Sequence, residues 1–164
     1  MPQVRTTGDQ LKAVLTGGLI PAAPVMFDRD GRFHERAHEA YVAYMRTQPI
    51  AGVAVWAHTG RGLYLDEDTA RRVIKDWRGA LPNSPLIAGV GTFNHESTPR
   101  QATAATVAMA SSAAQYGADA LLVYPPSWLN GHKLKDSLIV DFRKSPSGEY
   151  AAHYDFVLKP SKGK

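Results

Sequence analysis

The 164-residue chain contains no cysteine, which excludes disulfide bridges and every thiolate metal site. It has no apolar run near the roughly 18 residues that a membrane span requires. Its opening, MPQVRTTGDQ, lacks the apolar core of a secretory signal. These absences lead us to expect a cytoplasmic protein that does not engage a membrane. Lysine is also scarce for most of the length. Residues 1–130 hold ten arginines but only two lysines, and with eleven acidic residues their net charge is +1. Residues 131–164 reverse the preference, with six lysines, one arginine and four acids, a net of +3. No nucleic-acid-reading motif accompanies that basic end, so it is read as a solvated tail and no nucleic-acid partner is expected.

What is present is a repeating unit. Four short apolar runs, LIPAAPVMF from Leu19, VAVW from Val53, LIAGVG from Leu86 and LLVY from Leu121, start 34, 33 and 35 residues apart. Runs of this kind suit strands buried on both faces of a parallel sheet. Helical patterns fill the gaps. HERAHEAYVAYMRTQ offers a stripe of Ala37, Ala40, Tyr41, Tyr44 and Met45. DEDTARRVIKDWRGAL opens with acids and repeats Val73, Ile74 and Trp77. STPRQATAATVAMASSAAQYG has Pro99 near its start and Gly117 as a C-cap. A short helix in DQLKAVLTGG precedes the first strand, and a weaker one is expected near LKDSLIVDFRK. Parallel strands with helical crossovers give an open doubly wound sheet or a (β/α)8 barrel. A barrel takes roughly 250 residues, so this chain has room for about half of one.

Four segments raise chemistry. GVGTFNHEST lacks the third glycine of a dinucleotide fingerprint and reads as a strand-to-helix turn capped by Ser97 or Thr98. His34 and His38 lie one helical turn apart, but no HExxH context surrounds them. They are read as surface histidines, and no metal site or cofactor is expected. YPPSWLNG is a rigid loop after the fourth strand, where Trp128 either lines a pocket or covers a rim. Most informative is AHTGRG, where a buried strand breaks into His58, Thr59, Gly60, Arg61 and Gly62. Polar groups between glycines at a strand's carboxyl end mark the floor of a ligand site in α/β folds.

In order and spacing, GLIPAAPVMFDRDGRFHERA, GVAVWAHTGRGLYLDEDTARRVI, PLIAGVG and GADALLVYPPSW resemble the dihydrodipicolinate synthase / N-acetylneuraminate lyase family from about Gly17 to about Phe142. The resemblance implies an α/β fold: the first four βα units of a (β/α)8 TIM barrel, truncated, over residues 1–142. A divergent, irregular basic tail over 143–164 would follow. It implies a carbon–carbon lyase of the class I aldolase type, in which a lysine forms a Schiff base with a 2-oxo acid such as pyruvate. In the family's Gly-Thr-Thr-Gly-Glu loop, Thr59 and Gly60 match the second Thr and the Gly. Ala57, His58 and Arg61 replace the first Gly, the first Thr and the Glu. Thr59 and nearby amides would hold the keto acid's carboxylate, His58 would stand where the proton relay runs, and Arg61 would add charge for an acidic substrate. Ser127 falls near a tyrosine that the family supplies to a neighbouring subunit. Past Phe142 nothing matches the family's catalytic tyrosine or Schiff-base lysine, so the catalytic residues are unknown. The expectation is a truncated or frameshifted, inactive member. The alternative is a non-enzymatic half barrel that binds an oxo acid or assembles with a partner, and self-association is expected of either.

Overall fold

A computed structural model describes residues 8–92, 98–124, 139–144 and 150–155. Helix α1 (Gly8–Leu15) ends before Gly17, whose φ of 76° closes the turn. Helix α2 (Glu35–Met45) precedes strand β1 (Val53–Val55). Helix α3 (Glu67–Ala80) leads to β2 (Leu86–Val90), and α4 (Pro99–Tyr116) leads to β3 (Ala120–Val123). The sheet is parallel in the order β1-β2-β3. Ala54, Ile87 and Ala120 lie side by side across it. Helix α2 packs on α3 and α3 on α4, so the helices follow the strand order in one layer.

The helix ends explain themselves chemically. Asp66 accepts from the Thr69 amide at 2.8 Å, a bond to the charged form that holds its carboxyl below the ordinary range. Thr98 and Gln101 form a reciprocal capping box at α4. Gly117 closes α4 at φ 115°. One face of the sheet carries Val53, Val55, Leu86, Ala88 and Val90, which pack with Val73, Ile74 and Trp77 of α3 and Ala113 of α4. Alternation along each strand puts Ala54, Ile87, Gly89, Ala120 and Leu122 on the other face. At the amino ends of the strands, Arg78 donates to the carbonyls of Leu81, Pro82, Ser84 and Gly117 at 2.9–3.2 Å. It also pairs with Asp119, whose carboxylate accepts from the Leu86 amide at 2.9 Å.

Four expectations are corrected. The run from Leu19 is not a full strand: one parallel bridge, Ala22 to Ala54, places it beside β1. Pro21 and Pro24 have no N–H to give to a ladder, although the Pro21 carbonyl accepts from the Ala54 amide at 2.9 Å. The helix expected near LKDSLIVDFRK is absent over Ile139–Lys144, which form strand β4. There Ile139, Val140 and Phe142 favour a strand. The tail is not irregular throughout, because β4 pairs antiparallel with β5 (Tyr150–Asp155). On α2 the buried stripe is His38 and Val42 with Tyr41 and Met45 beside them, while Ala40 and Tyr44 are exposed. His38 is therefore a core residue and not a surface one. Among the described residues no helix is long and apolar enough to cross a membrane.

Candidate ligand site at the carboxyl ends of the strands

β1 ends at Val55 and the chain turns sharply. Trp56 takes φ 55° and Arg61 φ 50°. They are the two non-glycine residues in the left-handed region among the described residues, and they bracket the loop. Such backbone costs of order 1–3 kcal/mol per residue and gathers at functional sites. Trp56 is held in place by burial and by its indole N–H, which donates to the Ala70 carbonyl at 3.1 Å. After Trp56 come two short 3₁₀ turns, His58–Gly60 and Gly62–Tyr64, with Arg61 as the hinge between them.

Glycine is required at both flanks of that hinge. A Cβ on Gly60 would lie 2.8 Å from the Ala23 carbonyl oxygen, and one on Gly62 would run into the Trp56 carbonyl. On β2, a Cβ on Gly89 would meet the Tyr124 ring at 2.9 Å. Tyr124 follows β3 and so lies across the sheet face opposite the helices. The His58 ring stacks on it, with centroids 4.6 Å apart and planes 22° from parallel. Burial pushes the Tyr124 phenol above its ordinary pKa of 10, outweighing a lowering influence from the His58 backbone. Tyr124 is thus a neutral hydroxyl at physiological pH.

Trp56, His58, Arg61, Tyr64 and Tyr124 surround a hollow of about 40 Å³. Thr59 is exposed, and its amide and hydroxyl make no hydrogen bond among the described residues. The amides of Gly60 and Arg61 are already used, donating to Ala57 and His58 carbonyls at 2.9 and 3.0 Å. Of the donors expected to bind a carboxylate, Thr59 keeps its own. His58, Thr59, Gly60 and Arg61 thus share one end of the sheet with Gly91, as expected from their places after strands. Ser127, Trp128 and Pro125 lie outside the described residues. Sequence reasoning missed Tyr124, Trp56 and Tyr64. The glycines at 89 and 91, facing an aromatic just past β3, were the available signal for Tyr124. Among the described residues no three metal-ligating side chains come together.

Residues 15–134 match the model of the dihydrodipicolinate synthetase family. The 4-hydroxy-tetrahydrodipicolinate synthase of Brucella abortus is 34% identical over 110 residues, covering 66% of this chain and 35% of that enzyme. A probable 5-dehydro-4-deoxyglucarate dehydratase of Chelativorans is 27% identical over 115 residues, covering 70% and 35%. The chain thus spans about a third of the length of the curated relatives it matches. Among solved structures, N-acetylneuraminate lyase from Mycoplasma synoviae superposes with a TM-score of 0.54 at 26% identity, over 66% of this chain and 36% of that one. Dihydrodipicolinate synthase from Aquifex aeolicus gives 0.55 at 24% identity, over 66% and 34%, a likeness of fold alone.

Proposed function

Because the chain belongs to the dihydrodipicolinate synthetase family, we propose that it binds a small 2-oxo acid such as pyruvate at the loop after β1, on the opening sector of a (β/α)8 barrel. The observation that carries this reading is the His58–Tyr124 stack beside the unengaged donors of Thr59. It supports a floor built at the family's carboxylate-binding loop. In this reading Thr59 receives the carboxylate through its hydroxyl and amide. The Tyr124 hydroxyl and the His58 ring face the keto end, Gly60 lets the loop close against the Ala23 carbonyl, and Arg61 adds positive charge. Ser127 belongs to the same set by its place after β3.

The family's chemistry is aldol addition or cleavage through a Schiff base. It needs a lysine kept unprotonated by burial. The two lysines with described side chains do not meet that need. Lys12 on α1 and Lys75 on α3 are both exposed, and Lys75 lies on the helical side, away from the hollow. With neither of these two suited, and no counterpart of the family's lysine recognisable in the sequence past Phe142, we read these 164 residues as holding the oxo acid without forming the imine. Treatment with pyruvate and borohydride, followed by mass spectrometry, is expected to leave the mass unchanged. Pyruvate is expected to shift the amide resonances of His58 to Gly60. A stoichiometric adduct on one lysine would overturn the inactive reading, and unmoved resonances would overturn the binding reading.

The sheet face bearing Leu122 favours a second role beside the first. That side chain is 46% exposed, and assembly with a partner covering this face would bury it.

A further inference from the structure

Arg61 is an odd residue for its position. The hinge between the two 3₁₀ turns needs a left-handed backbone, which glycine supplies without strain. Gly60 and Gly62 flank it, yet the strained place itself holds an arginine at φ 50°, ψ 35°. Its backbone is fixed from both sides, the amide donating to His58 at 3.0 Å and the carbonyl accepting from Tyr64 at 2.8 Å. The direction of its side chain is therefore set by the turn.

The guanidinium rests between two rings. Its carbon lies 5.9 Å from the centre of the Phe27 ring and 5.6 Å from that of Tyr64. Two aromatic neighbours hold a planar cation while leaving N–H groups at its edge free. Three arginines on α3 spend those groups on the protein. Arg72 pairs with Glu35, Glu39 and Asp76, Arg71 with Asp68 and Arg78 with Asp119. Arg61 is exposed and has no carboxylate partner among the described residues. It lines the same hollow as His58 and Tyr124, two residues from Thr59.

We propose that Arg61 makes the site selective for 2-oxo acids carrying a second carboxylate, which its guanidinium receives as a bidentate pair while Thr59 holds the first. The inference rests on the oxo-acid reading and names the substrate class within it. A guanidinium fork held in place beforehand loses little freedom on meeting a carboxylate, so the gain falls on diacids and not on their uncharged analogues.

The test compares two acids of equal length, 2-oxoglutarate and 2-oxopentanoate, by calorimetry and by the amide resonances of His58 to Gly60. 2-Oxoglutarate is expected to bind about ten-fold more tightly at low salt, a preference that shrinks as salt is raised. Arg61→Asn, which tolerates the left-handed backbone, is expected to bring the ratio of affinities to within about two-fold. Arg61→Lys, which keeps the charge without the fork, is expected to fall between. Equal binding of the two acids by the unaltered chain would overturn the role of Arg61 and leave the oxo-acid reading intact. So would a full preference surviving in a folded Arg61→Asn variant. Binding of neither acid would overturn both.

Discussion

Val53, Val55, Leu86, Ala88 and Val90 on the helix-facing side of the sheet are at most 1% exposed, whereas Leu122 on the opposite side is 46% exposed. The first side is closed by α3 and α4, with Trp77 fully buried and Tyr41 of α2 edge-on to it at 5.9 Å. The second is covered near its carboxyl end by the Tyr124 ring lying on Gly89. Apolar burial, and so stability, is concentrated on one side. The candidate site is built on the other, where surface remains for a ligand or a partner.

The largest expected effect comes from opening the closed side. Trp77→Ala should cost about 3–5 kcal/mol in urea denaturation, because it removes a fully buried ring and leaves a cavity beside Ile74 and Tyr41. A cost below about 1 kcal/mol would show that the helical layer is not the stabilising one. Next is the point where the open side is crowded. Gly89→Ala places a methyl 2.6 Å from the Trp56 carbonyl and 2.9 Å from the Tyr124 ring. It should cost about 1–3 kcal/mol and displace Tyr124, lowering near-UV dichroism. An unchanged aromatic signal would mean that the ring does not rest there.

A pH titration probes the closed side in another way. His38 is 0% exposed, and neither ring nitrogen has a hydrogen-bond partner. Burial lowers its pKa below 6.5, and the Arg72 charge adds to that. Asp76, with an oxygen 3.9 Å from Nε2, and Glu39 oppose it. The unfolded chain therefore takes up this proton first. Stability should be fully present above about pH 6.5 and decline below it, with a slope approaching ~1.4 kcal/mol per pH unit for one proton. His38→Phe, beside Phe33, should flatten that slope. A slope that persists in the variant would assign it to other groups. The smallest effect is expected at Leu122→Ala, under about 1 kcal/mol, since much of that side chain is already in water. A loss as large as that of Trp77→Ala would mean that the open side is covered in solution.

Legibility in the sequence followed from how local each signal is. Helix α3 was readable at its start from its run of acids, and α4 from Pro99, a cap at Ser97 or Thr98, and Gly117, because such residues act on their own turns. The loop at His58–Gly62 was readable because glycines and polar groups interrupt an apolar run. The first strand was misjudged because its apolar content spoke for a ladder that Pro21 and Pro24 cannot complete. Ile139–Lys144 was misjudged because charged residues amid apolar ones imitate a helical face over so short a span. His38 was placed outside because a titratable side chain in a helix says nothing of what packs over it. Tyr124 was passed over for Trp128, since only the folded sheet brings it onto Gly89 and under His58.

Arg78 draws four carbonyls and one carboxylate to the amino ends of the strands. Its consequence lies in where the molecule can breathe. A side chain tied to the end of α3, to the turn before β2 and to the turn before β3 makes that pole a fixed base, so small openings gather at the opposite pole. Amide hydrogens near Leu86 and Asp119 would then exchange through rare cooperative opening, and those of the loop at Thr59 through frequent local excursions. A ligand arriving at the strand tips has only that loop to quiet, and the sheet beneath need not move.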